Sequence, residues 1–121
     1  TGRAKGFFNG KIFVNEDASC TDATLNNNNL LLSDTSSMQS NPQLEINCED
    51  VKCSHGCTVG QLDQNALFYL RSRGIPEKEA TALLMYGFAN KVLASVGIPQ
   101  VKTRINQIIA KKLGVKIGFD I

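Results

Sequence analysis

The run Val51-Lys52-Cys53-Ser54-His55-Gly56-Cys57-Thr58-Val59 holds the only histidine of the chain and two of its four cysteines. Imidazole and thiol are the side chains that bind soft metals and that serve as base and nucleophile in thiol chemistry. If the run is extended, side chains alternate, and Val51, Cys53, His55, Cys57 and Val59 share one face. Lys52, Ser54 and Thr58 take the other. Extended residues two apart are separated by roughly 6.6 Å, and residues four apart by roughly 13 Å. Metal-to-ligand bonds of about 2.0–2.3 Å therefore forbid Cys53 and Cys57 from sharing one ion on a straight strand. The same separation forbids a disulfide between them, which needs Cα atoms within about 7 Å. A knuckle would lift both restrictions, but the paired CxxC of a zinc ribbon or finger is missing. Two readings of the row stay open on spacing alone. In one, His55 is a core histidine flanked by cysteines acting as small hydrophobes. In the other, Cys53, His55 and Cys57 serve a self-contained zinc or thiol enzyme.

The elements that must position this row come in two kinds. Residues 1–60 show no helical period and read as short strands with polar turns. Phe8, Ile12 and Val14 share a parity, with a tight Asn9-Gly10 between them. Thr21, Ala23 and Leu25 alternate, as do Leu44 and Ile46 against Glu45 and Asn47. Regular short strands fit a sandwich, a barrel or a β-solenoid. The run Asn26–Asn29, otherwise a simple loop, favours a solenoid corner, because asparagine tolerates left-handed backbone and its amide can bond along stacked coils. Residues 61–121 are helical. Asp63 is placed to cap a helix over 64–73, which Gly74 stops. Its apolar stripe is Ala66, Leu67, Leu70 and Phe68. Pro76 starts a second helix with Glu77 and Glu79 in its first turn, and Gly97 ends it. Its inward residues are Ala80, Leu83, Leu84, Gly87, Phe88, Val92 and Leu93. Pro99 starts a third, with Val101, Ile105, Ile108, Ile109 and Leu113 inward, and Gly114 closes it. The tail 115–121 carries no pattern.

The overall charge of +2 conceals an asymmetry. Residues 1–70 hold four basic and eight acidic side chains, a net of −4, and residues 71–121 hold nine and three, a net of +6. Such opposition suits docking within the chain or onto a polar partner. No segment has the roughly 20 apolar residues of a membrane span. Thr1-Gly2-Arg3-Ala4 lacks the apolar core of a signal peptide, and the absent initiator methionine suggests processing or excision. The expectation is a cytoplasmic protein with reduced thiols. The basic residues are not interleaved with aromatics and Trp is absent, which argues against nucleic acid as a partner.

Longer strings carry a resemblance. Asn29-Leu30-Leu31-Leu32-Ser33-Asp34, Pro42-Gln43-Leu44-Glu45-Ile46, Asp50-Val51-Lys52-Cys53-Ser54-His55-Gly56, Thr58-Val59-Gly60-Gln61-Leu62-Asp63 and Leu67-Phe68-Tyr69-Leu70-Arg71-Ser72-Arg73-Gly74-Ile75 follow in order. Together they resemble the SufB/SufD family of the SUF iron–sulfur assembly machinery, on its SufD branch, from about Gly6 to Leu113. Family members are several times longer, so the chain resembles a C-terminal fragment. The resemblance implies a mainly β plus α fold: residues 1–60 as the end of a right-handed parallel β-helix, residues 61–121 as a C-terminal helical subdomain. It implies a non-catalytic scaffold that pairs with a SufB-like paralogue and docks a SufC-like ATPase through the helical end. Sulfur would come indirectly from a cysteine desulfurase. His55 matches the motif histidine, a candidate iron or cluster ligand at the interface between paralogues, and Cys53 matches the motif cysteine. Cys57 stands where the family commonly has a small residue such as Ala; it either adds a ligand or packs. A transient iron–sulfur cluster would form only with the partner chain, so none is expected in the isolated fragment, whose open edges invite a homodimer.

Overall fold

A computed structural model describes residues 2–114. The chain mixes strands and helices and divides into two compact units, the first ending at Gln61 and the second beginning at Leu62. Expectations for the tail 115–121 lie outside the described residues.

The first unit has four strands: β1 (Lys5–Val14), β2 (Thr21–Leu31), β3 (Ser37–Ile46) and β4 (Val51–Gln61). They form two parallel pairs, β1 with β3 and β2 with β4, so the chain alternates between sheets. Alternating exposure follows from the pleat. In β1 the half-buried or buried residues are Gly6, Phe8, Gly10, Ile12 and Val14, and Val14 is 2% exposed. In β2 they include Ala23, Leu25, Asn27 and Asn29, and in β3 Met38, Ser40, Pro42 and Leu44. The inner faces meet: a Cβ on Gly10 would lie 3.1 Å from Leu25 Cδ2. β1 is displaced from β3 by 32 positions, Lys5 lying against Ser37. β2 is displaced from β4 by 30, Thr21 lying against Val51. The two-residue difference falls in the corners, 15–20 in one pass of the chain and 47–50 in the next. It hides the repeat from a search for a fixed period.

Two turns expected from sequence are strand instead. Asn9-Gly10 runs through the middle of β1. The missing Cβ at Gly10 makes room for the Phe8 ring, whose Cζ would be 2.7 Å from it; the glycine serves packing rather than reversal. The asparagine run lies within β2, not at a corner. Its amides are used along and across the strands: Thr58 Oγ1 donates to Asn28 Oδ1 at 2.8 Å, and Asn29 Nδ2 donates to Asn27 Oδ1 at 2.7 Å and to the Thr58 carbonyl at 3.2 Å. The corners are built from other residues. Ser36 N–H donates to the Ser33 carbonyl at 3.1 Å, and Ala18 N–H to Asn15. Cys20 holds a left-handed φ of 63° while its N–H donates to the Asp50 carbonyl at 2.7 Å.

The second unit contains α1 (Gln64–Ser72), α2 (Glu77–Leu93) and α3 (Pro99–Leu113), with α2 touching both neighbours. Asp63 caps α1, accepting from Asn65 N–H at 2.9 Å and Ala66 N–H at 3.1 Å. Gly74 follows at φ 88° and Gly114 closes α3 at φ 65°. α2 ends at Leu93 rather than at Gly97, because Ser95 and Val96 fold into a tighter last turn onto Val92 and Leu93. α2 buries Ala80, Ala82 and Leu93. Five helical residues assigned inward from spacing lie outward: Gly87 is exposed, and Phe68, Val92, Val101 and Ile108 are 74%, 70%, 43% and 44% exposed. Three short helices offer less inner surface than the apolar positions available. No helix among the described residues is long and apolar enough to cross a membrane.

Candidate functional site

β4 is one uninterrupted strand, so the alternation of its side chains is geometric rather than assumed. Cys53, His55 and Cys57 lie on one face, in register with Ala23, Leu25 and Asn27 of β2. The strand has no knuckle, and Cys53 and Cys57 remain about 13 Å apart along it. β4 pairs with β2 alone, which leaves its other edge without a strand among the described residues. The row is graded in exposure: Cys53 is half-buried, whereas His55 and Cys57 are exposed. Within this chain the His55 imidazole is open to solvent and not packed in a core.

The Cys57 sulfur is part of a hydrogen-bonded chain. Ser40 Oγ on β3 lies 3.1 Å from Cys57 Sγ and donates its single hydrogen to Asn27 Oδ1 at 2.8 Å. The Cys57 thiol is then the donor to Ser40 Oγ. Asn27 Oδ1 also accepts from Asn29 Nδ2. Ser40 and Asn27 were invisible to spacing arguments about β4, since only the approach of β3 and β2 brings them to the thiol. Their one sequence signal is a polar residue at an inward parity of a strand.

The other thiols are elsewhere. Cys20, at the corner, points its sulfur to Asp50 Oδ2 at 3.4 Å; Cys48 is half-buried; all four cysteines are unpaired. Among the described residues, no three His, Cys, Asp or Glu side chains come together as metal ligands. Nor does His55 hydrogen-bond a thiol among them, since the group facing Cys57 is a serine hydroxyl. Among the described residues, Cys53, His55 and Cys57 form neither a closed set of three metal ligands nor a thiol–imidazole pair. The cleft lined by Leu30, Leu31, Leu32 and Met38 holds no titratable cluster.

Residues 1–88 match the family model described as SUF system FeS cluster assembly, SufBD core domain. The chain belongs to the SufB/SufD family. It is SufD-like: it is 40% identical over 111 residues to the iron–sulfur cluster assembly protein SufD of Escherichia coli, covering 92% of this chain and 26% of that protein. It is 36% identical over 110 residues to SufD of Bacillus subtilis, 91% of this chain and 25% of the relative. A SufBD family protein of Synechocystis is 37% identical over 107 residues, 88% of this chain and 24% of the relative. The chain thus spans about a quarter of the length of these SufB/SufD relatives.

Proposed function

We propose that this chain is the C-terminal part of a SufD-like scaffold on which an iron–sulfur cluster is assembled. The observation that carries the reading is an exposed imidazole, His55, on a strand whose free edge has no partner among the described residues. Such a histidine can ligate iron once a second chain closes the site. In this reading β1–β4 are the last coils of a right-handed parallel β-helix, which the parallel register of alternate strands supports. A SufB-like paralogue pairs along β4 and supplies the remaining ligands, and the nascent cluster is cargo held between the two chains. Cys53, the other family-motif position, flanks the histidine.

The helical unit docks a SufC-like ATPase. Its exposed Phe68, Val92 and Ile98, together with the basic balance of residues 71–121, suit a protein surface. In this reading the chain's own residues make and break no bond, and its role is that of a non-catalytic scaffold. The four unpaired thiols suit a reducing compartment, and the reading extends to a cytoplasmic location.

The test is reconstitution of the full-length protein with its paralogue and ATPase, followed by assay of iron and labile sulfide. His55→Ala should leave the heterodimer intact and cut cluster yield sharply. Ser54→Ala, on the opposite face and bonded only to exposed Thr24 at 3.1 Å, should be near neutral. Normal cluster yield in His55→Ala would sink the ligand assignment. Equal loss of heterodimer and cluster would make His55 a structural interface residue instead.

A further inference from the structure

We propose that Cys57 is the second donor beside His55, the two forming a half-site for a thiophilic divalent cation, with Ser40 positioning the Cys57 sulfur. The inference deepens the assembly reading and rests on it for the biological cargo, while the metal chemistry is tested separately.

Three observations carry it. The first is geometry. His55 and Cys57 are two apart on a continuous strand, share a face, and have Cα atoms roughly 6.6 Å apart. An imidazole and a thiolate at that separation can both reach a point between them at bond lengths of about 2.0–2.3 Å. The second is access. Both side chains are exposed, whereas Cys53 is half-buried beside Ala23. Of the two thiols that flank the histidine, Cys57 is the one open to an incoming ion.

The third is the wiring behind the sulfur. In the thiol form Cys57 donates to Ser40 Oγ, and Ser40 donates to Asn27 Oδ1. When a cation binds, the S–H proton leaves to solvent and the sulfur becomes an acceptor. Ser40 then needs only to rotate its O–H from Asn27 to the thiolate. Asn27 Oδ1 keeps its bond from Asn29 Nδ2 at 2.7 Å, so no polar group loses its last partner in the exchange. A hydroxyl that can donate to a metal-bound thiolate is an outer-shell contact of the kind that fixes ligand orientation. One thiolate and one imidazole favour Fe²⁺, Co²⁺ or Zn²⁺ over oxygen-seeking Mg²⁺ or Ca²⁺. Two donors do not fill a coordination sphere, and no third lies among the described residues; water or a second chain completes it.

The probe is Co²⁺, titrated into the full-length chain and followed by its sulfur-to-cobalt charge-transfer absorption. The band should be present in the parent protein and missing from both Cys57→Ser and Cys57→Ala, with far-ultraviolet circular dichroism unchanged. Cys53→Ser should keep the band and the affinity. His55→Ala should keep a band at weakened affinity. Ser40→Ala should keep the band with Kd raised about tenfold, the lower end for loss of an outer-shell partner. A parent protein with no band, or a band that survives in Cys57→Ser, overturns the pairing. A band that disappears in Cys53→Ser assigns the donor to Cys53, leaving the assembly reading in place and this one refuted. An unchanged Kd in Ser40→Ala removes the positioning role. If the cobalt results hold but His55→Ala gives normal cluster yield, the cargo assignment fails while the half-site stands.

Discussion

A Cβ at Gly10 would sit 2.7 Å from the tip of the Phe8 ring and 3.1 Å from Leu25 Cδ2. Both neighbours are inside the first unit, and an aromatic ring has no soft torsion near its tip. Gly10→Ala should therefore destabilise the unit by about 1–3 kcal/mol, read as a lower urea midpoint at constant slope. An unaltered midpoint would mean that the ring has room to swing away. Cys20 poses the opposite problem, a side chain already at φ 63°. Cys20→Val should cost about 1–3 kcal/mol by placing a branched Cβ in that region, while Cys20→Gly should stay within about 1 kcal/mol of the parent. Thermal melts of the two variants decide it, and equal Tm values would show that the corner relaxes. At this scale much of the candidate site was legible. Alternation alone put Cys53, His55 and Cys57 on one face, because a period of two needs no tertiary information. The exposure of His55 and the Ser40 contact were not legible, since both depend on which strands lie beside β4 and which do not.

The helices were easier to read than the strands, for a physical reason. Caps are local: Asp63, Gly74, Pro99 and Gly114 act within a turn of where they stand, and each marks a helix boundary. Asp63→Ala removes the acceptor for two N–H groups and should cost about 1 kcal/mol, measurable as a shift in chemical unfolding of the helical unit. Side-chain direction was less local. Spacing gave α2 an inward stripe that included Val92, yet Val92 is 70% exposed and Leu93 beside it is 5% exposed. Leu93→Ala should accordingly destabilise by about 2–5 kcal/mol and Val92→Ala by much less. Comparable losses in denaturant titration would reverse that assignment. Among the strands, the asparagine run was misplaced at a corner because composition alone cannot separate a turn from a polar ladder. Its partners in the ladder, Asn28 with Thr58 and Asn29 with the Thr58 backbone, are about 30 residues away and set only by register.

For the whole molecule, open strand edges are the dominant feature. Each of the four strands pairs on one side only among the described residues, β1 near Phe7–Val14 and β4 included, and exposed Val59 lies on the β4 row. The 121-residue chain should self-associate through these edges, as a symmetric dimer at concentrations on the order of tens of micromolar. Sedimentation would report it, and Val59→Lys should move the population toward monomer. A parent chain that sediments as a clean monomer would count against edge pairing. The corners carry a further consequence, for how the sequence can change in length over evolution. The passes are offset by 32 positions in one sheet and 30 in the other, and because both offsets are even, residues of like parity stay opposite one another in both strand pairs. The difference is confined to corners, where insertions and deletions leave the strand parity untouched. A single-residue insertion between His55 and Cys57, by contrast, would shift every later side chain of β4 to the opposite face, turning Cys57 away from Ser40 while His55 kept its place. Length variants should therefore accumulate at 15–20 and 47–50, and the spacing from residue 53 to residue 57 should behave like a reading frame.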